Sequence, residues 1–455
     1  MGTIESLLAD GQAEALAGLT EFLRWPSVSS NPEQAGAVRG CAEWLADRLG
    51  GIGMEHAGLW ETEGHPAVYA EWLHAEGAPT VLLYGHYDVQ PPEPLELWET
   101  SPFEATVRDG KVYARGSTDD KGQVYMHLVA LEALLKAEGR LPVNVKVLIE
   151  GEEEIGSPNL EPLIAARREA LRADMVLISD TTMFAEGRPA LCYGLRGLAY
   201  FQVEAEGANS DLHSGAYGGA VANPIQALST LLAGLKDERQ RIAIPGFYDD
   251  VRTVDAAERA RLASLPHDDR AYAALLGVEA LSGEEGYSTL ERTWIRPSLD
   301  INGIWGGFSG PGSKTVLPAR AGAKLSFRLV PDQDPERVER LLRADLERRC
   351  PAGVKLTITA MHGASPWVTN PDHPYIRAAG QALAQAFGRE PVYIREGGSI
   401  PVVTTFAALL GVPVVLLGVG LQEDRPHAPN EHFALSSFHG GARAAAAFLE
   451  GLATP

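Results

Sequence analysis

Seven side chains stand where chemistry is possible: His86, Asp88, Asp119, Glu153, Glu154, Asp180 and His427. His86 and Asp88 follow the apolar run "VLLY", Glu153 and Glu154 follow "VKVLI", Asp180 follows "VLIS", and His427 comes soon after "VPVVLLGVG". Asp119 and its neighbour Asp120 sit in "ARGSTDDKG", at the head of a helical pattern. The string "EGEEEIGS" crowds Glu150, Glu152, Glu153 and Glu154 into five positions. Like charges packed at a strand end repel, and taking them out of water costs more still, so this density calls for a cation. Two imidazoles and several carboxylates without a thiolate suit Zn²⁺, and also Mn²⁺ or Co²⁺. Five ligands are too many for one catalytic zinc with an open position. They suit two ions about 3.5–4 Å apart that share a carboxylate. Adjacent residues of an extended chain point to opposite sides, so one of Glu153 and Glu154 can hold metal while the other handles the proton of a water. His86 and Asp88 share a face, which lets Asp88 hold the second ring nitrogen of His86.

Residues so far apart in sequence need a scaffold that gathers them. The successive steps from His86 to Asp119, from Asp119 to Glu154 and from Glu154 to Asp180 are 33, 35 and 26 residues, each close to one strand–helix–strand step. "TVLLY", "VNVKVLI" and "DMVLIS" read as buried strands, with "KGQVYMHLVALEALLKAEG" and "NLEPLIAARREAL" as helices between them. That alternation predicts an α/β layer with a mixed, mostly parallel sheet and helices on both faces, its site outside the carboxyl ends of the strands. The N-terminal "IESLLADGQAEALAGLTEFL" reads as one amphipathic helix. After "CYGLRG" the pattern changes. "LAYFQVEAEG" and "AGAKLSFRLV" alternate as half-exposed strands, "VKLTITAMH" is a further strand, and "NPIQALSTLLAGL" and "PERVERLLRADLERR" are helices, which predicts an inserted α+β domain. The first pattern returns with "HPYIRAAGQALAQAFG". The boundaries expected are residues 1–195 and 371–455 for the metal-binding catalytic domain and 196–370 for the insertion. The stretch between Lys236 and Pro297 is polar and helix-rich and carries no readable chemistry.

Composition removes other classes. A net charge of −21 argues against nucleic-acid binding, which needs a basic footprint. No apolar run is long enough to span a membrane, and the N-terminus lacks the basic start and apolar core of a secretory signal. Cys41, Cys192 and Cys350 are too few and too scattered for a disulfide framework, which points to a reducing cytoplasm. "GVGLQ" and "GPGSKT" fail as nucleotide-binding loops, and no "GxSxG" nucleophile elbow occurs.

Taken together, "GHYDVQP", "RGSTDDKG", "EGEEEIGS", "LISD" and "HAPNE" resemble the aminoacylase/carboxypeptidase-type family of co-catalytic zinc metallopeptidases. "DLHSGAYGGAVANP", "DINGIWGG", "KTVLPARAGAKLSFRLVPDQDP" and "REGGSIPV" extend the likeness over most of the chain, toward the carnosinase-like dipeptidase branch. The resemblance implies that His86 and Asp180 hold one ion, Glu154 and His427 the other, and that Asp119 bridges them. It makes Glu153 the general base and Asp88 the acid that orients a histidine, and it leaves Glu152 a solvated or supporting role. It implies that His213 in "DLHSG" donates to the developing oxyanion, in dimers from the partner subunit. It implies that Arg328, Gly398 and Ser399 bind the substrate carboxylate, and that the insertion is a ferredoxin-like lid and dimerisation domain. A hydrolase is expected that cleaves dipeptides with a water bridged between two divalent ions, most naturally Zn²⁺. The Asp at position 180, where deacylases commonly carry Glu, favours a substrate with a free amino terminus. Deacylation of N-acyl amino acids is the rival reading. A catalytically silent binding protein is the third, and the intact ligand and base set argues against it.

Overall fold

The long β-branched runs become the centre of a sheet. In the computed structural model, which describes residues 3–453, Asn144–Glu150, Thr80–His86, Met175–Ile178 and Val414–Leu416 lie side by side in that order, all parallel. Their residues are buried almost without alternation, as strands covered on both faces must be. The margins are antiparallel: Ala67–Trp72 pairs with Asn144–Glu150, Glu55–Trp60 pairs with Ala67–Trp72, and Ala190–Leu195 meets Val414–Leu416. The class is therefore α/β with a mixed sheet. Lys121–Glu138 and Leu435–Leu452 are helices that bury Leu128, Leu131, Leu134, Phe438, Ala442 and Leu449 in one core. The first of them stops where Gly139 takes a left-handed conformation, φ 67°, that costs glycine little. The single N-terminal helix expected from sequence is two, Ile4–Asp10 and Gln12–Leu23, joined at Gly11.

The chain divides into two compact units. One comprises Met1–Tyr193, Thr369–Ile394 and Thr405–Pro455, and the other Gly194–Val368 with Arg395–Thr404. The second holds an antiparallel sheet ordered Ser298–Gly306, Arg320–Leu329, Gly197–Glu206, Lys355–Ala364. Along Gly197–Glu206 buried residues alternate with more exposed ones, so one face is left to pack. Helices Pro224–Ala233 and Pro335–Arg349 cover it with Leu228, Leu231, Leu232 and with Val338, Leu342, Leu346, against Phe201, Val203, Leu325 and Phe327. The polar stretch after Lys236 contains the short helices Ala256–Ala263, Asp269–Leu276 and Thr289–Trp294. Among the described residues no helix is long and apolar enough to cross a membrane.

Candidate metal centre

Parallel strands deliver their last residues to one edge. His86 closes Thr80–His86 and lies opposite Glu150, the last residue of the neighbouring strand. Asp180 comes two residues after Met175–Ile178, and Glu153 and Glu154 open the short turn that follows Asn144–Glu150. Asp119 precedes helix Lys121–Glu138. His427 arrives on a loop whose backbone there is left-handed, φ 62°. This conformation is uncommon outside glycine and persists only where the surroundings hold it.

These elements bring together two groups able to hold a metal ion: His86, Asp119 and Asp180, and Asp119, Glu154 and His427. Within each group the ligand atoms lie within 4.8 Å of one another. Asp119 belongs to both. Its Oδ1 is 3.2 Å from His86 Nε2 and its Oδ2 is 2.9 Å from His427 Nε2. Asp180 Oδ2 stands 4.0 Å from His86 Nε2, and Glu154 Oε2 stands 3.3 Å from His427 Nε2.

The electrostatics test whether this set fits cations. Burial, and then the charge of Asp119, push Glu154 up to about 8 and Asp180 up to about 6. Burial likewise drives Glu153 well above the usual carboxylate range, with Asp180, Glu154 and Asp119 adding repulsion. Burial opposes ionisation of Asp119 too, but hydrogen bonds from His427 and His86 hold it well below that range. His427 rises to about 9 through its bond to Asp119. The cluster thus retains protons in a place where several acceptor atoms converge. Divalent cations could replace those protons, and the nitrogen and oxygen donors suit the ions expected from sequence.

The surrounding contacts add what sequence did not show. His86 Nδ1 bonds the backbone carbonyl of Asp88 at 3.0 Å, with the Asp88 carboxylate at 3.4 Å. That carboxylate accepts from Ser29 Oγ at 2.6 Å and from the backbone N–H groups of Glu153 and Glu154, each at 3.1 Å. Asp88 therefore fixes the turn carrying both glutamates as well as facing His86. Glu152 is buried rather than solvated, accepting from His65 N at 3.0 Å and Asn159 Nδ2 at 2.8 Å. Gln90 Nε2 donates to Glu154 Oε2 at 2.8 Å. Asp120 turns inward and accepts from His86 N at 3.3 Å.

In the second unit, Arg328 Nη1 donates to Ser399 Oγ at 3.3 Å. Gly398 precedes that serine. His213 ends strand Leu212–His213, which pairs with Val316–Leu317, and its Nδ1 accepts from Gly215 N at 3.0 Å. An accepting Nδ1 places the ring proton on Nε2, where the exposed imidazole can donate.

Residues 82–451 match peptidase family M20/M25/M40. The chain belongs to this family. The Cys-Gly metallodipeptidase dug1 of Schizosaccharomyces pombe is 34% identical over 456 residues, covering 97% of this chain and 96% of the relative. The human Beta-Ala-His dipeptidase is 36% identical over 389 residues, 84% of this chain and 77% of the relative. Among solved structures, the M20 family metallo-carboxypeptidase Sso-CP2 of Sulfolobus solfataricus superposes with a TM-score of 0.86 at 35% identity, covering 97% of this chain and 100% of that one.

One residue of this M20/M25/M40 chain escaped the sequence reading although its motif, "HAPNE", did not. Glu431 is fully buried. Its Oε2 accepts from Arg115 Nη1 at 2.6 Å and Gly116 N at 2.9 Å, and its Oε1 accepts from Thr118 N at 3.0 Å and Asp119 N at 3.2 Å. Four residues after His427, it ties down the loop that presents Asp119. The only signal in sequence was an acid close to a candidate ligand.

Proposed function

We propose that this chain is a dinuclear metal-dependent dipeptidase, with His86 and Asp180 on one ion, Glu154 and His427 on the other, and Asp119 between them. The observation that carries this is Asp119, whose two carboxylate oxygens each face a different imidazole. When bound, the ions would supply Lewis acidity and a water whose pKa is lowered toward neutrality. Glu153, whose affinity for a proton burial has raised, takes the proton of the attacking water and returns it to the leaving amine. Asp88 holds the turn that aims it. His213 donates from Nε2 to the carbonyl oxygen as negative charge develops there. Arg328, with Gly398 and Ser399, binds the substrate carboxylate through a planar fork of donors. Imidazole and carboxylate donors suit Zn²⁺, with Mn²⁺ or Co²⁺ as alternatives.

The first unit is the metal-binding catalytic domain, and the second is a lid and dimerisation domain. Support for a homodimer comes from strand Ser298–Gly306, which lies at the edge of its sheet and exposes Ile301 (49%), Ile304 (60%) and Trp305 (42%). Free cysteines are consistent with a cytoplasmic location. The dipeptidase names of two of the relatives above and the short Asp180 carboxylate favour dipeptides over N-acyl amino acids. A panel of dipeptides, their N-acetyl amino acid counterparts and longer peptides, assayed with Zn²⁺, Mn²⁺ and Co²⁺, tests the reading. Dipeptides should be cleaved fastest, and equal or faster turnover of N-acetyl amino acids would assign the site to deacylation.

A further inference from the structure

The stretch between Lys236 and Pro297, which carried no readable chemistry in the sequence, builds a cavity once folded. Its volume is about 490 Å³, within the roughly 300–1,000 Å³ of pockets that take small organic molecules. Five arginines line it, Arg239, Arg241, Arg252, Arg259 and Arg296, in a chain whose net charge is −21. Four of them have an acid beside them. Arg296 forks onto Glu284 at 2.8 and 2.7 Å, and Arg252 forks onto Asp332 with both bonds at 2.9 Å. Arg259 donates to Glu291 at 2.6 Å and to Gly286 O at 3.3 Å, and Arg239 lies 3.8 Å from Glu285. The guanidinium of Arg241 has no carboxylate among the described residues. Asp237 accepts instead from the backbone N–H groups of Arg239 and Arg241, each at 2.9 Å.

Aromatic rings hold the same guanidiniums in place. Arg241 lies over Tyr248, 4.2 Å from the ring centroid, and Arg259 over Tyr287 at 5.0 Å. Arg296 is 5.2 Å from Tyr248 and 4.4 Å from Tyr287. The order Arg241, Tyr248, Arg296, Tyr287, Arg259 alternates cation and ring, and each contact is attractive. Donors fixed in this way lose little freedom when a ligand arrives. Bracing of the fold accounts for Nε and Nη2 of Arg252, Arg259 and Arg296, which their partners occupy. It does not account for Nη1 of those three, which hydrogen-bonds nothing among the described residues, nor for Arg241. One planar fork is enough for a carboxylate. Donors left on four separate guanidiniums suit a tetrahedral oxyanion with three terminal oxygens.

We propose that this cavity binds a phosphate group, free or as the monoester of a small organic molecule. Arg241 supplies the charge that no acid neutralises, and Arg252, Arg259 and Arg296 supply one donor nitrogen each. The site is distinct from the metal centre, since its lining belongs to the second unit and the candidate metal ligands to the first.

The test is calorimetric titration of the metal-loaded protein with inorganic phosphate, glycerol 3-phosphate and acetate, repeated on Arg241→Met, Arg241→Glu and Asp119→Ala. Phosphate and its ester should each bind the parent chain. Arg241→Met should weaken both roughly tenfold, and Arg241→Glu should abolish binding by reversing the charge. Arg241 is exposed, so both variants should fold and should hydrolyse dipeptides at the parent rate when phosphate is absent. Phosphate can also bind metal ions, and Asp119→Ala removes that route: binding should survive in it. An ester that binds more tightly than inorganic phosphate identifies an organic phosphate as the ligand, and equal affinity identifies free phosphate. Absence of binding at millimolar concentration overturns the proposal. So does an affinity unchanged in Arg241→Met, which would leave the arginines a bracing role alone. Binding lost in Asp119→Ala assigns the phosphate to the metal centre instead, and acetate held as tightly as phosphate refutes the choice of a tetrahedral oxyanion.

Discussion

Replacing Glu431 by Gln should damage folding and metal binding by separable routes. The buried carboxylate accepts from four donors, two on each oxygen. An amide keeps one oxygen and turns an NH₂ toward the other two donors. If that NH₂ faces Arg115 and Gly116, a fully buried guanidinium loses its counter-charge. If it faces Thr118 and Asp119, the segment bearing Asp119 comes loose. Breaking a buried ion pair by removing one partner costs about 3–5 kcal/mol, a large share of the roughly 5–15 kcal/mol that keeps a domain folded. Loss of a contact that orients a metal-holding residue typically costs about 10–100-fold in metal affinity. Urea unfolding of the metal-free protein reads the first effect, and titration with Zn²⁺ against a chromophoric chelator reads the second. The double variant Arg115→Met with Glu431→Leu separates them. It removes both charges, so the cost of an uncompensated buried charge disappears, but the N–H groups of Gly116, Thr118 and Asp119 stay unpaired, so stability returns only in part and metal affinity stays low. If that double variant, which has no acceptor for Asp119 N–H, bound metal within about threefold of the parent, the proposed control of Asp119 by Glu431 would be refuted.

Glu153→Gln should retain both ions yet lose about 10²–10⁴ in kcat, because an amide cannot shuttle the proton, whereas Glu154→Gln should lower metal content. The reverse pair of outcomes, read by metal analysis beside kinetics, would exchange the two roles. Metal affinity should rise with pH up to about 9, because His427 at about 9 and Glu154 at about 8 must release protons before a cation binds. The same groups set the stability of the metal-free protein. Glu154 sits above its ordinary value, so its contribution falls as pH rises toward about 8, and that of His427, full below 6.5, is lost as pH passes about 9. The signs agree, so metal-free protein should unfold at lower urea at pH 9 than at pH 5. His213→Ala should lower kcat by about 10²–10³ with metal content unchanged. If His213 acts across a dimer, mixing that variant with Glu153→Gln under subunit exchange should restore activity, and a dead mixture with exchange confirmed would reject the trans arrangement.

Sequence spoke most clearly where a residue's environment is written in its neighbours. The runs before His86, Glu153 and Asp180 announce buried parallel strands because such strands need apolar side chains on both faces, and the observed strand Thr80–His86 carries the expected one two residues further. The antiparallel margin strands Glu55–Trp60 and Ala67–Trp72 gave no such run and went unread. Sequence could show that acids cluster at strand ends, but not which acids serve backbone donors. The N–H groups of Glu153 and Glu154 on Asp88, and those of Gly116, Thr118 and Asp119 on Glu431, belong to the main chain. Main-chain donors are common to every residue but proline and leave no mark in residue type. The break at Gly11 was overlooked because glycine inside a helical pattern is often tolerated.

The central claim is that a pair of metal ions sharing Asp119 cleaves dipeptides. It is tested most directly by removing all metal with a chelator, titrating Zn²⁺ back, and following bound metal and dipeptide hydrolysis in the same samples for the parent chain and for Asp119→Ala. Turnover should be absent without metal and should recover as occupancy approaches about two ions per chain, and Asp119→Ala should reach neither full occupancy nor activity. Undiminished dipeptide hydrolysis by the metal-free protein, or an Asp119→Ala chain that binds two ions and works at the parent rate, would contradict it.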